Sequence, residues 1–124
     1  MAANTGEHLR IPGLVAGADL SAKQYHVVML VTTAKQVKAS TGATVGNIGI
    51  LQNDPASGEA ASVVGGGMTK AYAGGNINAG DFVTANTTAQ CVATTTANNK
   101  TVGKALTGAT AGQLFEVFVS PGNF

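Results

Sequence analysis

Charged residues and aromatic bulk are both scarce in this sequence. Of its 124 residues only 10% are Asp, Glu, Lys or Arg, the formal net charge is +1, and tryptophan is absent. Globular domains usually carry about 25% charged residues, and nucleic-acid-binding proteins usually need a strong cationic patch. The composition therefore argues against a nucleic-acid partner. Charge-driven disorder is also disfavoured, because disordered segments are poor in apolar residues, whereas 44% of this chain is hydrophobic.

Cysteine pairs and long apolar runs are also missing. A single cysteine, Cys91, excludes an intramolecular disulfide framework and a Cys₂His₂ zinc site. Neither His8 nor His26 has a carboxylate or thiol at ligand spacing, so the sequence predicts no metal site and no cofactor. The longest apolar run, residues 27–31, is far shorter than the roughly 20 residues of a membrane-spanning helix. The polar N-terminus carries no secretory signal, so we expect a soluble protein made in the cytoplasm, with no membrane partner.

Motifs for catalysis and phosphate binding are absent as well. The sequence contains no GxSxG or HExxH motif, and its six acidic residues are spread over the whole chain. The glycine run at residues 65–67 lacks the GxxxxGK[ST] spacing of a phosphate-binding loop. We therefore expect this run to form a turn between two halves of the chain, and we expect a protein that is not an enzyme.

Short apolar segments between turn residues are what the chain offers in place of such sites. Seventeen glycines recur at short intervals, and β-branched residues crowd the segments between them, a pattern typical of many short strands. The sequence predicts a mainly β fold, a small domain resembling a β-barrel or sandwich. The predicted strands are residues 25–31, 36–39, 46–51, 60–64, 70–72, 82–85, 90–93, 102–106 and 114–119.

The segment 1–18 differs from the rest and is predicted to form an extended N-terminal arm. Pro12 and Gly13 interrupt any periodicity, because proline fixes its own φ and restricts the residue before it. Leu9, Leu14 and Val15 are nevertheless apolar, which a purely solvated tail would not need. A disordered leader and an arm that orders on a neighbouring molecule both remain open. Residues 19–124 are predicted to form a single β-rich domain, with halves at about 19–72 and 73–124.

An internal repeat links these halves. Four short blocks recur in the same order at a nearly constant offset, which indicates a duplication. We expect that neither half can bury its own apolar face and that the two share one barrel-like core. The matching blocks are residues 20–25 with 77–82, 32–37 with 87–92, 45–47 with 102–104, and 56–59 with 110–113.

Several phrases of the second half carry a family resemblance. INAGDF at residues 77–82, QCVAT at 90–94, VGKAL at 102–106 and AGQLFEV at 111–117 resemble repeated phrases of the small capsid decoration, or cement, proteins of tailed phages. In the first half, LSAK at residues 20–23 and VGNIGIL at 45–51 occur in an order similar to that of the lambda-type head decoration proteins.

The resemblance implies a structural virion protein on the outer surface of a phage capsid, made in the cytoplasm of the bacterial host. Such proteins stabilise the shell by bridging neighbouring major capsid protein subunits, commonly as homotrimers. The expected partners are therefore the major capsid protein and further copies of this chain. Arms of this kind often order against the major capsid protein, here by strand addition. The predicted capsid-binding residues are His8, Leu9, Arg10, Ile11, Pro12, Leu14 and Val15.

Two alternatives are weighed against this interpretation. A phage tail or fibre-type subunit, or a carbohydrate-binding β-module, would need an exposed aromatic platform. The few Tyr and Phe residues mostly stand in core-like alternation, so we expect no such platform. An enzyme with a site shared between subunits would need a cluster of His, Asp, Glu or Lys, which the spacing does not provide.

Overall fold

The fold is built entirely from β-strands in the part of the chain that is described, residues 8–124 of a computed structural model. The prediction of a mainly β protein is confirmed. Because glycine, asparagine and threonine turns interrupt the sequence so often, most strands are short. The ten strands are β1 (His8–Arg10), β2 (Val15–Ala16), β3 (Val27–Leu30), β4 (Gln36–Ala39), β5 (Asn47–Leu51), β6 (Val63–Tyr72), β7 (Phe82–Ala85), β8 (Cys91–Ala93), β9 (Lys100–Ala105) and β10 (Leu114–Asn123).

All ten strands belong to one mixed sheet that does not close on itself. The strand order is β2-β4-β3-β5-β6-β10-β9-β7-β8, and β1 pairs with β6 beside this path. The β2–β4 pair is parallel, and the other strand pairs are antiparallel. The expected barrel is therefore not closed by strand pairing, because β2 and β8 stand at the two ends of the order without pairing to each other.

The glycine run at residues 65–67 lies inside a strand and does not form the turn expected from the sequence. The segments predicted as separate strands at 60–64 and 70–72 merge into the long strand β6, Val63–Tyr72. This strand pairs with β5 near its start and with β10 over Gly67 to Tyr72. β6 thus belongs to both halves of the chain. A glycine run suits this position because it lets other chain segments pass close to the strand.

The two halves repeat each other in strand pairing as well as in sequence. Val28 stands opposite Gly49 in the first half, and Val83 stands opposite Gly103 in the second. Gly49 is therefore the equivalent of Gly103, so the sequence match of residues 45–47 with 102–104, which pairs Gly46 with Gly103, is wrong by three residues. A Cβ added to Gly49 or Gly103 would overlap the carbonyl oxygen of a residue on the next strand. Such close backbone approach at both positions explains why glycine recurs at the equivalent place in each half.

Hydrogen bonds at the turns repeat in the same way. The Ala56 N–H donates to Glu59 Oε1 at 2.8 Å, and the Thr110 N–H donates to Gln113 Oε1 at 3.0 Å. The Ala16 N–H donates to the Glu59 carbonyl oxygen at 2.9 Å. In the second half the Ala73 N–H donates to the Gln113 carbonyl oxygen at 2.8 Å. Ala16, although inside the segment predicted as an arm, thus occupies a position of the first half.

Each half encloses its own apolar core, contrary to the expectation of one shared core. Eight residues of the first half form one cluster, and the residues that strand pairing places at the equivalent positions all belong to a second cluster. In this pairing Val37 matches Cys91, one residue away from the Val92 of the sequence match. Folding each half around its own core is possible because strands from within the half surround these side chains. The first cluster is Leu14, Ala16, Leu20, Val28, Val37, Leu51, Ala61 and Val63. The matching members of the second are Ala71, Ala73, Ile77, Val83, Cys91, Ala105, Phe115 and Val117.

The second cluster is larger because the first half contributes to it. Val27, Ile50 and Val64, which stand opposite one another on β3, β5 and β6, are all buried in it. These three residues, named here the first-half row, attach the first half to the core of the second. Residues 1–7 of the predicted arm lie outside the described residues, so the division into arm 1–18 and domain 19–124 stays a prediction.

Candidate functional site

The residues predicted to bind a capsid stand at the start of the described chain, where they lie along β6. β1 pairs with β6 in antiparallel fashion, with Leu9 opposite Gly66. The Ile11 N–H continues this pairing by donating to the Val63 carbonyl oxygen at 2.9 Å. Among residues 8–124, β6 is the only strand that pairs with β1. The other edge of β1 is therefore open to a further strand.

Glycines of β6 make room for the apolar side chains of this segment. A Cβ on Gly65 would lie 2.6 Å from Ile11 Cδ1, so the isoleucine side chain fills the space that a larger residue would occupy. Ile11 also packs against the first-half core. Leu9 lies over Gly66 more loosely and is 71% exposed. Ile11 thus anchors the segment, and Leu9 presents an apolar surface to solvent.

The remaining predicted capsid-binding residues are divided between surface and core. Arg10 and Pro12 are exposed, and Val15 is half-buried in the parallel pairing of β2 with β4. Leu14 is buried in the first-half core, so its side chain is not available to a partner in this conformation. His8 begins β1, but its side chain lies outside the described residues. The structure therefore places Leu9, Arg10 and Pro12 on one short exposed stretch.

A second exposed feature is a row of large side chains across four neighbouring strands. Met68 on β6 stands opposite Phe118 on β10, Phe118 opposite Lys104 on β9, and Lys104 opposite Phe82 on β7. Residues directly opposite in a ladder project from the same face of the sheet. Phe118 is 50% exposed and Phe82 42%. We call Phe82, Lys104, Phe118 and Met68 the outer row.

Aromatic contacts continue the outer row to the C-terminus. The Phe82 and Phe124 rings meet edge to face, with centroids 5.4 Å apart, and the Lys104 ammonium lies 4.7 Å from the centroid of the Phe82 ring. Phe82, Phe118 and Phe124 are all exposed, whereas Phe115 is buried. The expectation that the aromatic residues lie mostly in the core was therefore wrong. Alternation along β10 does bury Phe115, but it turns Phe118 outward.

No catalytic centre accompanies these surfaces in the part of the chain that is described. Among residues 8–124 no group of three or more His, Cys, Asp or Glu side chains could hold a metal ion. In the same range no helix is long and apolar enough to cross a membrane. The depressions on the surface are shallow, and the one beside Phe82 is lined mainly by small residues and threonine. Convergent polar groups in a pocket, which catalysis and small-ligand binding need, are therefore not found here.

Two buried titratable groups are held in their neutral forms. Complete burial raises the pKa of the Cys91 thiol to about 12, which suppresses the nucleophilic thiolate. Burial lowers the pKa of His26, whose ring stacks on Tyr72 at a centroid distance of 5.0 Å. His26 Nδ1 also lies 3.0 Å from the Gln24 carbonyl oxygen. Both groups thus act as packing elements.

The model of the phage cement protein family matches residues 21–120, so the chain belongs to this family. It is a structural, capsid-associated phage protein and not an enzyme. The resemblance inferred from the sequence phrases is thereby confirmed.

Comparison with solved structures identifies a protein with a fold similar to the one described above. The chain is similar to the head fiber gp8.5 N base in bacteriophage phi29, with a TM-score of 0.66 and 18% sequence identity, over 90% of this chain and 93% of that one. At this identity the similarity concerns the fold. No curated protein matches the sequence.

The outer row is the feature that sequence reasoning missed. Residues 114–119 alternate in sequence, but both faces of this strand are largely apolar, a pattern that favours a strand covered on both sides. The repeat could have revealed the row only in the register that strand pairing shows, in which residue 50 and not residue 47 matches Lys104. Valine and isoleucine at positions 27, 50 and 64 are replaced by Phe82, Lys104 and Phe118 in the second half, and the lysine marks a surface facing solvent.

Proposed function

We propose that this protein binds the outer surface of a phage capsid and stabilises the shell by bridging neighbouring major capsid protein subunits. The observation that carries the proposal is the exposed stretch at the start of the described chain. Leu9, an apolar side chain 71% exposed, lies there on β1, with which no strand of residues 8–124 other than β6 pairs. A strand of the major capsid protein would add to the other edge of β1 through backbone hydrogen bonds. Leu9 would supply an apolar contact beside it.

Arg10 gives the same stretch a polar anchor. Its Nη1 donates to the Ser62 hydroxyl at 2.8 Å, which holds the guanidinium along the surface of the first half. Further donors of the guanidinium remain for a carboxylate on the partner, because arginine has five N–H groups. Pro12 lacks a backbone N–H and would end the added pairing shortly afterwards. The capsid contact would therefore centre on Leu9 and Arg10.

We further propose that the protein acts as a homotrimer, so that three such stretches engage the lattice together. Each contact can be weak, because linked sites bind with a high effective concentration. The shell gains stability by mass action if the protein binds the assembled lattice and not the free subunits. The sparse charge of the chain suits a protein that works against other protein surfaces.

The test uses substitutions that leave the domain intact. Deleting residues 1–15 would remove Leu14 from the first-half core, so loss of binding would have two explanations. Leu9→Asp and Arg10→Glu change exposed side chains only. Leu114→Asp is the matched control, because Leu114 is also exposed and apolar but lies at the start of β10.

Binding is measured by co-sedimentation with expanded shells that lack the protein. We expect Leu9→Asp and Arg10→Glu each to weaken decoration by about 10-fold or more, a change of about 1.4 kcal/mol. Leu114→Asp should decorate like the wild type. Wild-type decoration by both arm variants would show that the shell is bound through another surface.

A carbohydrate-binding β-module remains the second candidate, since Phe82 and Phe124 form an exposed aromatic pair. Stacking on a sugar needs an open ring face, however. One face of Phe82 carries Lys104, and Phe124 meets the same ring at an interplanar angle of 85°. A glycan screen that shifts no Phe82 or Phe124 resonance in NMR spectra would eliminate this candidate.

A further inference from the structure

The duplication places a buried row and an exposed row at equivalent positions. Val27, Ile50 and Val64, the first-half row, are fully buried. Their strand pairings match those of Phe82, Lys104 and Phe118 in the outer row. Val27 stands opposite Ile50, just as Phe82 stands opposite Lys104. Ile50 in turn stands opposite Val64, just as Lys104 stands opposite Phe118. The outer row is exposed. One chain therefore covers one of its two equivalent rows and leaves the other open.

The structure also shows what covers the buried row. The first-half row belongs to the second core cluster, where three further residues of the second half complete the packing: Ala85, Val102 and Val119. None of these three has a counterpart in the first core cluster. They thus form the part of the second half that receives the first, and we call them the receiving face.

The counterparts of the receiving face in the first half are not covered in the same way. Strand pairing matches Ala85 with Leu30, which is 45% exposed. Strand pairing also matches Val102 with Ile48, which is half-buried against the first-half core, and Val119 with Gly65. Ile11 fills the space over Gly65 and so supplies the side chain that the glycine lacks. Leu30, Ile48 and Ile11 form what we call the first-half face.

We propose that the outer row of one copy packs on the first-half face of a second copy, head to tail. The contact repeats between chains the one that joins the two halves within each chain. It buries exposed phenylalanine and leucine side chains on both partners, which is favourable in proportion to the apolar area removed from water. Lys104 can take part because its stem is apolar and its ammonium already lies over the Phe82 ring. A head-to-tail contact of this kind closes into a ring or continues as a filament.

The test is self-association of the free protein, measured by sedimentation equilibrium over a concentration series. Phe118→Asp disables the outer row, and Leu30→Asp disables the first-half face. We expect each to weaken association by about 30-fold or more, as for a central anchor of an interface. Leu114→Asp is again the matched control. The counterpart of Leu114 in the first half is Ala60, which is exposed. Because the proposed contact repeats the one between the halves, it does not include position 114.

A mixture of the two variants tests the head-to-tail geometry itself. Phe118→Asp keeps an intact first-half face, and Leu30→Asp keeps an intact outer row. We therefore expect each variant to be monomeric alone and the equimolar mixture to form one-to-one dimers. A contact of outer row against outer row would instead leave Leu30→Asp associating like the wild type and would overturn the proposal. Absence of dimers in the mixture, or a wild type that stays monomeric at NMR concentrations, would also overturn it.

Circular dichroism and amide NMR spectra of each variant separate lost association from lost folding. If Phe118→Asp or Leu30→Asp unfolds, Phe118→Ser and Leu30→Ser replace them in the same measurements. The proposal is independent of capsid binding, because Leu9 and Arg10 are intact in all of these variants. Failure of the Leu9→Asp decoration test would remove the capsid proposal and leave the self-association result standing.

Discussion

Gly103 has no room for a side chain, which makes its replacement a sensitive probe of the β9–β10 ladder. A Cβ at this position would overlap the Phe118 carbonyl oxygen and come within 2.9 Å of the Phe118 carbonyl carbon. Both atoms belong to the backbone, so no side-chain rotation can relieve the overlap. Carbon atoms in contact prefer separations of about 3.5 Å or more. The ladder must therefore open by about 0.6 Å or more to accept alanine.

The expected cost of Gly103→Ala follows from this displacement. Overpacking of a well-packed interior typically costs about 1–3 kcal/mol, and each ladder hydrogen bond that is lost adds about 1 kcal/mol. We expect a loss of about 3 kcal/mol in the free energy of unfolding, a large part of the stability of a small domain. Gly49→Ala should cost a similar amount, because Gly49 meets the Val64 carbonyl group in the same way.

Urea unfolding followed by circular dichroism measures this cost. Gly66→Ala is the control, because it lies on β6 with a φ outside the left-handed region and its added Cβ would come no closer than 3.9 Å to another side chain. Its free energy of unfolding should stay within about 0.5 kcal/mol of the wild type. If Gly103→Ala were also within that margin, close backbone approach could not explain the repeated glycines.

Two predictions concern the buried titratable groups. Cys91, whose thiol pKa is raised to about 12 by burial, should not react with Ellman's reagent at pH 8 until the protein unfolds. Because burial raises the pKa of this thiol in the folded state above its ordinary value of 9.0, its contribution to stability is complete below pH 9 and is lost as the pH rises towards 12. Reaction of the native protein at the rate of an unfolded control would contradict the burial. The pKa of His26 is lowered by burial, so the unfolded state binds more protons below pH 6.5 and stability should fall as the pH drops below that value. In urea titrations His26→Gln should reduce this loss of stability at low pH. If the variant kept the pH profile of the wild type, the loss would come from other titratable groups.

Local patterns predicted the strand content well because they are decided by neighbours in the sequence. The β4 segment, Gln36–Ala39, begins and ends where the sequence predicted. The glycine run at residues 65–67 could not be placed in this way. Its conformation is decided by β1 and Ile11, which approach it from a distant part of the sequence. Without those contacts, three glycines indicate a turn.

The repeat was visible in the sequence, but its packing was not. Matching blocks identified the two halves, but strand pairing shifts the equivalents of Val37 and of Gly103 by one and three residues. The presence of a separate core in each half depends on the strands that surround it, which the blocks do not show. The segment at Leu14 shows the same limit. Its apolar residues were noticed, but only the pairing of β2 with β4 places Leu14 in the first-half core. Exposure of Leu9 and burial of Leu14 are therefore structural facts that spacing alone cannot separate.

The central proposal is that the protein bridges major capsid protein subunits on the outside of the shell. Electron cryo-microscopy of expanded shells, reconstructed with and without the protein, tests it most directly. The proposal predicts added density on the outer surface over the junctions between subunits, with the Leu9–Arg10 stretch in contact with the shell. Shells that carry no added outer density at saturating protein, or density that touches only one subunit, would contradict it.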